Sequence, residues 1–159
     1  PGQNTSIKAI EKAKEIFKLS GSSIVTVKKE IDGFILNRLQ GALLNEAMRL
    51  YSEGYASSED IDATIKDGLG LRWAFMGPFE TIDLNAPGGI KDYMARYGAI
   101  FKEMAKTQTK IPDWSEDAGN KLDLERRKVL SKDDLEKRAK KRNFLLKQLR
   151  RLKIESDET

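Results

Sequence analysis

Asp32-Gly-Phe-Ile-Leu-Asn-Arg-Leu-Gln-Gly-Ala-Leu-Leu-Asn-Glu-Ala-Met-Arg-Leu-Tyr-Ser52 is the stretch on which the reading of this chain turns. Leu36, Leu39, Leu43, Ala47 and Leu50 recur at helical spacing, and Phe34, Ile35, Leu44, Met48 and Tyr51 widen the stripe. That pattern predicts a central, buried helix, opened by Asp32 as N-cap and ended by Gly54. One amide, Asn37, interrupts the apolar residues. A polar group buried without a partner costs about 1–3 kcal/mol, so either the fold or a ligand must satisfy it.

Downstream, Gly68-Leu-Gly-Leu-Arg-Trp-Ala-Phe-Met-Gly-Pro-Phe-Glu80 reads as a glycine turn presenting Arg72, with Pro78 at the first position of a short helix to about residue 85. A guanidinium on such a turn can hold a carboxylate in a bidentate grip. An interface or helix-end salt bridge is an equal alternative for Arg72. Arg38 is expected to pair with a carboxylate such as Glu46 or Glu80. Phe34, Trp73, Phe75 and Phe79 read as core or interface. Asp60, Asp62 and Asp67 lack the glycine and ligand spacing of a calcium loop, and no metal site is expected.

Around this centre, Thr5 or Ser6 caps a helix to about Leu19, and Ser23-Ile-Val-Thr-Val-Lys-Lys is the best strand signal. One strand cannot form a sheet, so its neighbours are expected on sequence upstream of Pro1. Further helices are expected from Ser57, from Pro87-Gly-Gly through about Ala105, from Ser115 to Leu130, and from the Ser131-Lys-Asp-Asp cap to about Ile154. In the Pro87 helix, Ile90, Tyr93, Met94, Tyr97, Ile100, Phe101 and Met104 are expected to be buried.

Composition narrows the chemistry. The 159 residues contain neither cysteine nor histidine, which removes thiolate catalysis and the commonest general base and transition-metal ligand. No apolar run reaches the ~18 residues of a membrane span, and Pro-Gly-Gln-Asn-Thr-Ser is neither a signal nor a transit peptide. A cytoplasmic protein, cut from something longer, is the expectation. The formal net charge is +4, yet Lys132 to Lys153 alone carries +7, from ten basic and three acidic residues.

The order of these motifs (a strand ending Val-Lys-Lys-Glu, then Asp-Gly-Phe-Ile-Leu-Asn-Arg-Leu-Gln, Glu-Ala-Met-Arg-Leu, Asp-Ile-Asp and Met-Gly-Pro-Phe-Glu) resembles the C-terminal part of NAD-dependent 3-hydroxyacyl-CoA dehydrogenases. Gly-Leu-Gly-Leu-Arg-Trp-Ala-Phe-Met-Gly-Pro and the long basic C-terminal helix are most similar to the L-gulonate 3-dehydrogenase and lambda-crystallin branch. The Gly-x-Gly-Phe-Tyr motif typical of fatty-acyl members is absent, which counts against an acyl-CoA substrate. The resemblance implies a mostly α fold: a helical bundle like the C-terminal domain of 6-phosphogluconate dehydrogenase, over residues 31–159. Residues 1–30 would be the last helix–strand unit of a Rossmann domain. It further implies oxidation of a small 3-hydroxy acid, such as L-gulonate, with NAD bound mainly by the domain not included here. Asn37 would position substrate, Arg72 would bind it, and the helical domain would form a homodimer. The fragment alone is expected to be inactive.

Two further readings stay open: a 3-hydroxyacyl-CoA or carnitine dehydrogenase of the same family, or a non-enzymatic helical oligomerisation or RNA-binding module. The second would use the basic helix, where Leu135, Leu145, Leu149 and Leu152 line one face and Lys and Arg the other. A packed terminal helix with a solvated outer face is the more ordinary reading, and neither nucleic acid nor membrane is the expected partner.

Overall fold

The computed structural model describes Gly2 and residues 4–157. Pro1, Gln3, Glu158 and Thr159, which fall within the two sequence-assigned domains, lie outside the described residues. Every regular element among the described residues is helical. The chain divides into two compact units, up to Ala42 and from Leu43 onward.

In the first unit, α1 (Ile7–Leu19) is capped by Ser6, whose Oγ accepts the Ala9 N–H at 3.2 Å. The expected strand is not assigned: residues 23–27 carry no regular structure and no ladder pairs them among the described residues, and a strand is defined by its partner. Ala9, Ala13, Phe17, Ile24, Val25 and Phe34 instead line an open apolar groove of about 740 Å³.

Helix α2 (Phe34–Ser52) begins two residues later than Asp32. A tight turn, closed by the Phe34 N–H to the Ile31 carbonyl at 3.0 Å, replaces the expected Asp32 cap. Gly33 and Phe34 both take left-handed backbone, with φ of +80° and +49°. Glycine does so freely, whereas a bulky residue there is a strained outlier. Gly54, with φ +77°, ends the helix as its sequence suggests.

The second unit continues with α3 (Ser58–Ala63), a π-helical turn (Thr64–Leu69) and α4 (Gly70–Trp73). These three run into one another, which corrects the Gly68-Leu-Gly turn. The Gly70 N–H bonds back five residues to the Ile65 carbonyl, so the chain widens its spiral rather than breaking it. Gly70 is required here, because a Cβ would stand 2.9 Å from the Ile65 oxygen. Helix α5 (Pro78–Leu84) starts on Pro78. It packs as a hairpin on α6 (Gly89–Thr107), and Asp83 caps that helix by accepting the Ile90 N–H at 2.6 Å. Helix α7 (Glu116–Val129) is capped by Ser115, and α8 (Leu135–Asp157) follows the Ser131–Asp134 cap.

Burial departs from expectation. Met48, Ala86 and Ala118 are the buried apolar side chains among the described residues, and no large one is fully enclosed. Leu36 and Leu39 of the supposedly central helix are 76% and 60% exposed. Ile90, Met94, Tyr97, Ile100, Phe101 and Met104 of α6 are also exposed. The periodicity was that of a buried helix, but the surface that covers those faces is not supplied by the described residues. Burying apolar area is the main favourable term in folding, and these faces do not contribute it among the described residues.

Candidate functional site

Asn37 occupies the first turn of α2, four residues into the helix opened by the strained Gly33–Phe34 pair. That pair fixes the direction in which the helix leaves the loop, and hence the direction of its first-turn side chains. Asn37 is exposed, and its amide makes no hydrogen bond among the described residues of its unit. The sequence expectation of a buried amide is therefore corrected: the carboxamide is available as a donor and acceptor. Arg38 lies beside it, its Cγ packed over Gly33, and forms no ion pair within that unit. The expected partner Glu46 is already engaged by Arg49.

Arg72 lies on α4, directly after the π-helical turn, and so in the last turn of that short helix. It is exposed and pairs with no carboxylate among the described residues of its unit. A guanidinium carries five N–H donors in a planar fork. Leu71, Trp73, Phe75 and Phe79 around it are exposed, with Phe79 at 75%, so they are not core of this chain. Asn37 and Arg72 belong to different units.

Contrast Arg49, which sequence reasoning left unremarked. Its Nη2 donates to Glu46 at 2.6 Å and its Nη1 to Glu53 at 3.1 Å, with the Tyr55 ring 5.7 Å from the guanidinium carbon. Arg49's hydrogen bonds hold the Glu46 carboxyl below its ordinary range and raise the arginine further above its own. The i, i+3 and i, i+4 spacing of Glu46, Arg49 and Glu53 was the legible signal.

A second network ties α2, α3 and α7 together. The Ser58 hydroxyl and backbone N–H donate to one Glu125 oxygen at 2.7 and 2.9 Å. Tyr51 hydrogen-bonds the same carboxylate. These donors lower the Glu125 pKa, Ser58 first, while burial and then the facing carboxylate push the Tyr51 phenol up. Nothing local marks this trio, since Ser58 and Glu125 are 67 residues apart. Asn45 likewise accepts the Trp114 Nε1–H at 3.1 Å. The three aspartates set aside as a calcium site have separate partners: Ser57, Arg126 and Lys66.

The described residues offer no cradle for a dinucleotide. Residues 23–27 run into Lys28-Lys29-Glu30 rather than a glycine-rich turn, and the Gly70 N–H is spent on the Ile65 carbonyl. No described helix is long and apolar enough to cross a membrane.

Residues 33–131 match the family described as 3-hydroxyacyl-CoA dehydrogenase, C-terminal domain. Lambda-crystallin of Oryctolagus cuniculus is 40% identical over 155 residues, covering 96% of this chain and 48% of that protein. A lambda-crystallin homolog of Bos taurus is 44% identical over 115 residues, or 72% of this chain and 36% of the relative. L-carnitine dehydrogenase of Pseudomonas putida is 42% identical over 102 residues, or 64% and 32%. The chain thus spans about half or less of the length of the curated relatives it matches.

Proposed function

Because this chain belongs to the 3-hydroxyacyl-CoA dehydrogenase C-terminal domain family, we propose that it is the substrate-positioning and dimerising portion of an NAD-dependent dehydrogenase. The substrate class is a small acid with a hydroxyl beta to its carboxylate, L-gulonate being the preferred case. L-carnitine, after which some relatives are named, also carries a hydroxyl beta to a carboxylate, so the shared chemistry is broader than either molecule.

The observation that carries this reading is the free, exposed Asn37 carboxamide on the first turn of α2, inside the family-matched segment. When a secondary alcohol is oxidised, its oxygen passes through alkoxide character on the way to a carbonyl. An amide N–H already aimed at that oxygen stabilises the change without reorganising. Asn37 cannot take the proton itself, so it positions rather than acts as base. Arg72 holds the substrate carboxylate through paired N–H donors. NAD is the hydride acceptor and binds outside the described residues. The exposed apolar faces of α2 and α6 are covered in a homodimer and by the remainder of the polypeptide. The working location is the cytoplasm.

The test uses the full-length protein with L-gulonate and L-carnitine, following NADH formation. Asn37→Ala is expected to lower kcat by about a hundredfold to a thousandfold, with the oligomeric state unchanged. Arg72→Lys is expected to raise KM for the acid and leave its uncharged amide analogue unaffected. Turnover undiminished by Asn37→Ala would remove that residue from the site. A full-length protein that oxidises neither acid would remove the substrate class.

A further inference from the structure

Charge is divided unequally within the second unit. Helix α8, residues 135–157, contains nine Lys or Arg against three acids, a net of +6. Residues 53–83, covering α3, the π-helical turn, α4 and α5, contain seven acids against two bases, a net of −5. Both regions also expose large apolar side chains. Leu135, Leu145, Leu146 and Leu152 are exposed along α8, and Leu71, Phe79 and Leu84 on α4 and α5 with Phe75 on the link between them. Leu135, Ala139, Leu146 and Leu149 of α8, with Leu130 before it and Arg138 and Arg142 among them, line an open groove of about 710 Å³.

We propose that α8 of one copy docks on the acidic α3–α5 face of a second copy, its leucine groove taking the exposed phenylalanines and its arginines meeting Glu59 and Glu80. This deepens the homodimer of the proposed function and rests on it, naming the surfaces that meet. Four features of the molecule support a second copy as the occupant. The two segments carry opposite net charge, the acidic one reduced where Glu53 pairs with Arg49 and Asp62 with Arg126, and opposite charge both steers association and fixes register. Each carries its own apolar patch, which a phosphate backbone would leave uncovered; nucleic-acid binding rests on charge, not on a leucine floor. Glu59 and Glu80 form no ion pair among the described residues of their unit, and neither does Arg138. Finally, a 23-residue helix is about 35 Å long, enough for its apolar side to contribute to the roughly 1,200–2,000 Å² that a stable interface buries.

The test is sedimentation of the full-length protein across salt concentrations, with two charge-reversed variants: Arg138→Glu with Arg142→Glu, and Glu59→Arg with Glu80→Arg. Wild type is expected to dimerise with a Kd that rises roughly tenfold or more from 50 to 500 mM salt, as screening shortens the reach of the charges. Each variant alone is expected to be monomeric at concentrations where wild type is dimeric, with unchanged helical circular dichroism. An equimolar mixture is expected to restore a dimer containing one copy of each. Rescue in the mixture is the decisive result, since a misfolded variant cannot give it. Variants that dimerise with wild-type Kd overturn the proposal while leaving the homodimer standing on another face. A salt-sensitive complex with a poly(U) RNA probe, lost in the Arg138/Arg142 variant while dimerisation persists, overturns it in favour of nucleic acid. NADH formation by the same preparations reports separately on the dehydrogenase reading.

Discussion

The two halves of α2 are written in the same residue alphabet and meet opposite fates. In the C-terminal half, Met48 is 7% exposed, Asn45 accepts from Trp114, Arg49 is clamped between Glu46 and Glu53, and Tyr51 joins Ser58 on Glu125. In the N-terminal half, Leu36 and Leu39 stand open and the Asn37 side chain has no partner in its unit. A polar side chain that the fold has already satisfied is structural. One that the fold leaves exposed on a strained turn is hydrated and stays accessible. The same distinction separates Arg49 from Arg72.

The sharpest way to break that comparison is to remove one amide from each half in the full-length protein. Asn37→Ala is expected to cost about 3–4 kcal/mol of transition-state stabilisation and almost no stability. Asn45→Ala is expected to leave kcat unchanged and lower stability by about 0.5–1 kcal/mol, the worth of one exposed hydrogen bond. Urea melts alongside initial rates read both; equal effects on both quantities for either variant would dissolve the distinction.

The next effect tests whether the π-helical turn is held as tightly as its geometry implies. Gly70→Ala forces a Cβ against the Ile65 carbonyl and is expected to cost about 1–3 kcal/mol. Gly68→Ala, two residues away with nothing within 4 Å, is expected to stabilise by about 0.5–1 kcal/mol through helix propensity. Thermal melts of the pair should move in opposite directions. A smaller contrast is expected between the arginines: Arg49→Met lowers the melting temperature, whereas Arg72→Met stays within about 0.5 kcal/mol of wild type and raises KM.

The smallest effect is in acid. The Glu125 and Glu46 carboxyls titrate below their unfolded value because hydrogen bonds favour their charged forms. Their contribution is therefore complete above the ordinary glutamate pKa of about 4.3, and it is lost as pH falls through the lower folded value. Stability measured downward from pH 5 should decline, and Glu125→Gln should flatten that decline while leaving Asn37-dependent turnover intact.

Much of the fold was legible because its signals are local. Ser6, Ser57, Ser115 and Ser131 mark helix starts through side chains that reach only three residues. Pro78 and Gly54 mark a start and a stop for equally local reasons. The motif order around Asn37 placed the chain in its family. The Gly68-Leu-Gly misreading shows the limit of such signals: glycine permits a turn, but it equally permits the close carbonyl approach of a widened helix. Only the hydrogen-bond register tells them apart.

The sequence by itself determined most of the helical segments, most of their starts, and which residues belong to the family's motifs, because capping, propensity and periodicity act over a few residues. Tertiary structure alone decided that Asn37 and Arg72 are free while Asn45 and Arg49 are engaged, and that Ser58 and Tyr51 share Glu125. It also decided which apolar faces find cover. Those outcomes depend on groups distant along the chain coming within hydrogen-bonding or van der Waals reach, and periodicity reports that a face is apolar without saying what covers it.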